Sequence, residues 1–203
     1  LEELNPSQYE AATHIDGALL ILAGAGSGKT KTITSRLAYL LSLGIDPQNT
    51  LTLTFTNKAA SEMRERALKL MPNTTYPPLL ATFHKFGLIF LKMNIHLLGR
   101  SNTFVIIDTD DKKKIIKNIS QDIPFNMVAK EISKYKNNFL TPNDIFSMAK
   151  DEDSKKLSHI YDEYIKYLTK NNLVDFDDLL LLTYQILEEF NDVAEKYSKK
   201  YQY

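Results

Sequence analysis

The sequence contains no cysteine, which removes disulfides, thiolate metal ligands and cysteine nucleophiles together. Histidine is scarce, with four in 203 residues, and the four are scattered without metal-ligand spacing. An excess of charge of one sign is missing as well, since 25 Lys and Arg stand against 25 Asp and Glu. Without a global positive field, nucleic-acid binding has to be argued from local sites. No apolar run approaches the roughly 20 residues of a membrane span, and the first residues, Leu1 to Gln8, carry acid rather than the basic start of a signal peptide. The expectation is a soluble, cytoplasmic chain with no membrane partner. An apolar fraction of 43% is ordinary for a folded protein, and the length allows one ample core or two small domains.

What is present changes character along the chain. The first half alternates short apolar runs with helical periodicity, the pattern of a parallel sheet wrapped by helices. Strands are expected at Ala18 to Leu22, Thr50 to Phe55 and Leu79 to Thr82. Ile33, Leu37, Leu40 and Leu41 mark a helix that stops near Gly44, and Ala59, Ala60, Met63, Ala67, Leu70 and Met71 mark the next. Phe86, Ile89, Phe90, Met93 and Leu97 mark a third, ending near Gly99. After the brief run Phe104 to Ile107, helix follows helix. Thr141-Pro142-Asn143-Asp144 reads as a cap with proline in the first turn, Leu157 to Leu168 as an apolar stripe, and Asp175 as the cap of a last helix. The expected fold is α/β, a partial RecA-like P-loop NTPase parallel sheet with a helical insertion subdomain. Residues 1–85 would form the nucleotide-binding core, 86–194 the insertion and 195–203 a return into the core.

The sharpest motif is Ala23-Gly24-Ala25-Gly26-Ser27-Gly28-Lys29-Thr30, between an apolar run and an amphipathic helix. That is the context a phosphate loop needs. Glycines let backbone N–H groups turn inward around phosphates, and the next helix offers its positive dipole end to the same charge. Lys29 would reach the outer phosphates of ATP, and the Thr30 hydroxyl would hold Mg2+. Ala23 stands where the strict motif opens with glycine, which requires a negative φ there. A dinucleotide fingerprint starting at Gly24 fails because Lys29 is not glycine, and a nucleophile elbow at Ser27 fails at Ala25 and Lys29.

A phosphate loop alone gives nucleotide binding and no more. The flanking residues narrow it. Leu4-Asn5-Pro6-Ser7-Gln8 precedes the loop; Thr54-Phe55-Thr56-Asn57-Lys58-Ala59-Ala60 with Glu62-Met63, then Thr82-Phe83-His84 and Asp175-Phe176-Asp177-Asp178-Leu179, follow it. In this order they resemble the motifs of superfamily-one DNA helicases of the UvrD/Rep family, most closely its Rep-like members, over essentially the whole chain. The resemblance implies an ATP-dependent machine that unwinds duplex DNA while moving 3′-to-5′ on one strand. It implies that Gln8 reads the adenine edge, although Asn5 capping a helix with Pro6 in its first turn and Gln8 as reciprocal partner explains the same residues. It puts Lys31 beside the nucleotide, where relatives usually carry arginine. It implies single-stranded DNA contacts by Phe55, Asn57, Lys58, Thr82 and His84, with Phe176 joining them from the helical part. The competing reading makes Phe55 a core residue, Asn57 a helix cap, His84 an ordinary polar residue and Phe176 a core filler.

A phosphate-loop ATPase also needs a carboxylate for magnesium and an acid to position water. Phe104-Val105-Ile106-Ile107-Asp108 offers the one candidate from the residues alone, and Asp108 as cap of the lysine-rich helix competes with it. The resemblance supports the cap. It implies that the acidic motif follows shortly after Tyr203, with the missing C-terminal motor domain beyond, so the 203 residues are expected to bind nucleotide without hydrolysing it. The alternatives are a small P-loop kinase using Lys29 and Asp108, and a non-catalytic module binding nucleotide and single-stranded DNA.

Overall fold

The computed structural model describes residues 3–70 and 77–203. Met71, expected to close the second helical stripe, lies outside the described residues, as do Leu1 and Glu2 of the acidic start. By its internal contacts the chain divides into two units, Leu1–Phe83 with Glu195–Tyr203, and His84–Ala194.

In the first unit, α1 (Pro6–Thr13) opens on a capping box with proline in its first turn and packs on α2 (Lys29–Ser42). Strands β1 (Leu51–Thr54) and β2 (Leu79–Thr82) pair in parallel, with Leu51 opposite Leu79 and Thr54 opposite Thr82. Parallel strands require a crossover, and α3 (Asn57–Leu70) lies in it. Leu37 of α2, Met63 and Ala67 of α3 and Leu80 of β2 form the buried core between these layers, with Leu41 packed against it. On the chain's return, the Tyr203 N–H donates to the Asn49 carbonyl at 3.2 Å and the Tyr203 carbonyl accepts from the Leu51 N–H at 2.8 Å. That is one rung of a parallel ladder beside β1.

The expected strand at Ala18 to Leu22 is a correction. These residues belong to no strand, and neither sheet among the described residues includes them. Leu20 is 82% exposed and Leu22 87%. An apolar run becomes a strand only when a neighbour takes up its N–H and C=O groups, and this run has no ladder partner among the described residues.

The second unit is built on helices. α4 (Phe83–Asn94) continues as a 3-10 turn, Ile95–Leu98, that stops at Gly99. β3 (Val105–Ile106) pairs in parallel with β4 (Leu173–Val174). Between them run α5 (Thr109–Ile119), α6 (Phe125–Asn137), α7 (Pro142–Met148) and α8 (Glu152–Lys170). α9 (Asp178–Glu189) and α10 (Asn191–Lys200) follow. Ile116, Val128, Ile132, Ile160, Tyr161 and Tyr164 make the centre of the core. The α7 boundary is set locally: Thr141 and Asp144 exchange hydrogen bonds in a capping box, and Pro142 fills the first turn. Among the described residues no helix is long and apolar enough to cross a membrane.

Candidate functional site

The phosphate loop runs into the N-terminus of α2, and two of its glycines are there because of backbone shape. Gly26 has φ +74° and Gly28 φ +85°, the left-handed region that a Cβ disfavours. A Cβ added at Gly28 would also stand 2.8 Å from the Gln8 side-chain nitrogen, a flexible group that can give way, so the backbone shape is the stronger demand. Ala23 is not among the non-glycine residues with positive φ, so alanine fits the opening position. The loop is closed on itself: the Gly24 carbonyl accepts from Ser27 Oγ at 2.7 Å and from Lys29 Nζ at 2.7 Å, and the Ala23 carbonyl accepts from Lys29 Nζ at 2.9 Å. Ala25 is exposed between them, and Thr30 is half-buried in the first turn of α2.

Gln8 fills the capping role and keeps polar groups to spare. Its Oε1 accepts from the Asn5 N–H at 3.1 Å while Asn5 Oδ1 accepts from the Gln8 N–H at 2.9 Å, which is the capping box. Its Nε2 donates to the Ser27 carbonyl at 2.9 Å, tying α1 to the phosphate loop. An amide carries two lone pairs and two N–H bonds, so one acceptor site and one donor remain. Those are the two functions needed to read an adenine edge, and capping does not exhaust them. Lys31 is occupied otherwise, donating to the Glu3 carbonyl at 2.9 Å and pairing with the Glu3 carboxylate at 3.1 Å. It makes a surface ion pair of the kind worth about 0 to 1 kcal/mol.

Past the end of β1, Phe55 is 86% exposed, with its ring centroid 5.2 Å from that of Phe83. The core reading of Phe55 is therefore corrected: the residue follows the last ladder position, so the strand no longer turns its side chain inward. Phe83 was missed in the sequence, although it stands between Thr82 and His84, both of which the motif singles out. Asn57 and Lys58 are exposed in the first turn of α3. Asn57 as helix cap is also corrected, because Thr56 Oγ1 accepts from the Ala59 N–H at 3.1 Å and fills that role one residue earlier. Thr82 is buried at the end of β2.

His84 and Phe176 belong to the second unit, where their rings stack with centroids 3.8 Å apart and planes 14° from parallel. Burial lowers the imidazole pKa, and the charge of Asp177 opposes that shift. Phe176 is 59% exposed and so is not core filler. α4 and α9 approach closely one turn away, where a Cβ on Gly87 would meet the Leu179 carbonyl oxygen at 2.3 Å. Asp108 serves as the cap of α5, its carboxylate accepting from the Asp111 N–H at 2.8 Å. Among the described residues no group of three or more His, Asp or Glu is placed to hold a metal ion.

Residues 4–203 match the family model described as the UvrD/REP helicase N-terminal domain. The chain is 38% identical over 211 residues to the ATP-dependent DNA helicase PcrA of Staphylococcus aureus (strain NCTC 8325 / PS 47), a match covering 100% of this chain and 29% of that protein. It is 35% identical over 215 residues to the probable DNA helicase II homolog of Mycoplasma capricolum subsp. capricolum, covering 100% of this chain and 30% of that protein. With the PcrA helicase of Staphylococcus epidermidis the identity is 36% over 211 residues. The chain spans about three tenths of the length of the curated relatives it matches.

Proposed function

The chain belongs to the UvrD/REP helicase family, and from that premise we propose that it is the ATP-binding part of a DNA helicase that moves 3′-to-5′ on single-stranded DNA. Its fold is α/β, a partial RecA-like phosphate-loop sheet with a helical subdomain. Residues 1–85 with 195–203 are the proposed nucleotide core, and 86–194 the insertion. The observation that carries the reading is the loop before α2, with two left-handed glycines, Lys29 folded over it and Gln8 against its rim. Such a loop fits a polyphosphate: N–H groups and a helix N-terminus supply positive potential, and Lys29 adds a full charge. Ala23, Gly24, Ala25, Ser27 and Thr30 complete the cradle, and Lys31 stands at its margin. Mg2+ bound at Thr30 would neutralise phosphate charge. Together these residues bind and orient ATP.

For single-stranded DNA, Phe55 with its neighbour Phe83 offers an exposed aromatic surface, and His84 with Phe176 offers another on the second unit. Aromatic faces of this kind stack on bases without regard to sequence. Asn57, Lys58 and Thr82 would hold the sugar-phosphate chain, with Lys58 supplying charge. The kinase alternative would draw on Asp108, which caps α5 through one carboxylate oxygen.

Isothermal titration with Mg-ATP and Mg-ADP tests the nucleotide site. Lys29→Ala is expected to weaken binding by about 2 to 4 kcal/mol, the effect of deleting a charged partner of phosphate. Equal affinity of variant and wild type would remove Lys29 from the site.

A further inference from the structure

The run Asp175-Phe176-Asp177-Asp178 has three of its four side chains tied down, and all the ties lie within the second unit. Asp175 Oδ2 accepts from Lys136 Nζ at 2.9 Å and from the Tyr164 hydroxyl at 2.9 Å. Asp178 Oδ1 accepts from the same lysine at 2.7 Å. The two aspartates also close the turn on themselves: Asp175 Oδ1 accepts from the Asp178 N–H at 2.9 Å, and Asp178 Oδ2 from the Asp175 N–H at 3.1 Å. Asp177 Oδ2 accepts from Ser133 Oγ at 2.6 Å and pairs with Lys112 at 3.4 Å, and Lys112 also pairs with Asp175 at 3.3 Å. α5, α6 and α8 therefore all grip the turn that opens α9. Phe176 alone is left outside, and it lies on the His84 ring.

Lys136 is the centre of this arrangement. Its side chain is 1% exposed, and it sits on the otherwise apolar inner face of α6 with Val128, Ile132 and Tyr135. Packing alone would be served at least as well by methionine or leucine there, since a buried ion pair contributes little net stability compared with apolar residues of similar volume. What a buried charge does supply is geometry, because its partners must stay where they are. Burial disfavours the charged form of Lys136, yet Asp178 and Asp175 together raise its pKa above the ordinary value, so the ammonium persists.

We propose that Lys136 is a positioning residue: by clamping Asp175 and Asp178 it fixes the turn that holds Phe176 against His84 as a preformed stacking surface for a nucleobase of single-stranded DNA. This rests on the reading that Phe176 and His84 face DNA. It adds to that reading a residue which touches neither ring. Preformation matters because an aromatic side chain already held in place has little freedom left to lose when a base arrives.

Two measurements on the chain separate the clamp from the DNA assignment. The first is the NMR shift of the His84 imidazole protons, which a ring 3.8 Å away displaces from the ordinary position. Lys136→Met, close in length and neutral, is expected to return that shift towards the value in Phe176→Ala while the remaining core resonances stay dispersed. The second is the affinity for a labelled oligonucleotide by fluorescence anisotropy. Phe176→Ala should weaken binding on the order of tenfold, Lys136→Met should do nearly the same, and the double variant should lie within about twofold of Phe176→Ala alone. A loss of affinity that simply multiplies in the double variant would make Lys136 a structural residue and overturn the proposal. So would a His84 shift that Lys136→Met leaves in place. If Phe176→Ala binds DNA as wild type does, the DNA assignment of Phe176 falls, while the shift still reads out the clamp. Should Lys136→Met fail to melt cooperatively, Asp178→Asn carries the test, since it takes the charge from one of the two carboxylates that Lys136 clamps and keeps the shape. An unchanged His84 shift and DNA affinity in that variant would overturn the proposal.

Discussion

Raising the pH should unlock the helical unit through two tyrosines. Tyr161 and Tyr164 of α8 are 1% and 0% exposed, the first donating to the Leu140 carbonyl at 3.2 Å and the second to Asp175 at 2.9 Å. Burial pushes the Tyr161 phenol up to about 12, with Lys136 partly opposing and the aspartates adding. Tyr164 is pushed further, by burial first and then by the charge and hydrogen bond of Asp175. In the unfolded chain both ionise near pH 10. A raised folded pKa means that their contribution is complete below pH 10 and is lost as pH climbs through the folded values, because the unfolded state releases protons the folded state must keep. At pH 11 each tyrosine contributes about 1.4 kcal/mol less, on the order of 3 kcal/mol together. That is a large share of the roughly 5 to 15 kcal/mol that holds a domain folded. Lys136, whose pKa is also raised, adds in the same direction. Urea unfolding followed by circular dichroism at pH 8, 9, 10 and 11 measures the slope, and the Tyr161→Phe/Tyr164→Phe double variant should flatten it above pH 10. Parallel loss of stability in wild type and double variant would refute the assignment.

Phe55→Ala is expected to weaken binding of single-stranded DNA by about 1 to 3 kcal/mol through lost stacking, without altering the melting temperature of so exposed a site; anisotropy and a thermal melt report the two. Asp108→Ala should destabilise α5 by about 0.5 to 2 kcal/mol as a lost cap and leave Mg-ATP affinity by calorimetry untouched, whereas a magnesium ligand would show the reverse. Gly87→Ala, which sets a Cβ against the Leu179 carbonyl, should destabilise the helical unit by about 1 to 3 kcal/mol as overpacking and separate the rings of His84 and Phe176, readable in urea melts and in the His84 resonances.

Features that depend on near neighbours were legible in the chain. Thr141, Pro142 and Asp144 announce α7 because a capping box is a local exchange of hydrogen bonds, and Asn5 with Gln8 does the same for α1. Leu79 to Thr82 reads as a strand and is one, with β1 as its partner. Ala18 to Leu22 reads equally well and is not, because strand formation belongs to the pair rather than to the segment. Of the site, the phosphate loop is contiguous and therefore visible. Lys136 was not, since its partners stand 39 and 42 residues further on and a lone lysine among apolar positions looks like an exposed one. The meeting of His84 with Phe176 was equally hidden: it depends on how close Gly87 lets two helices come. Thr56 and Asn57 show the remaining ambiguity, because either can cap a helix and only backbone conformation chooses between them.

The fold of Lys29 over its own loop changes what nucleotide binding consists of. The ammonium already donates to the Ala23 and Gly24 carbonyls while Lys29 stays exposed, so a phosphate bound as proposed would take it over from two neutral dipoles as well as from water. The event would be an exchange, with the two released carbonyls turning to solvent as the ammonium swings towards the anion. Small anions enter the same competition, and raising chloride or inorganic phosphate should lower the apparent affinity for ATP more steeply than for adenosine. On the proposed assignment the nucleoside would use Gln8 and make no demand on the lysine.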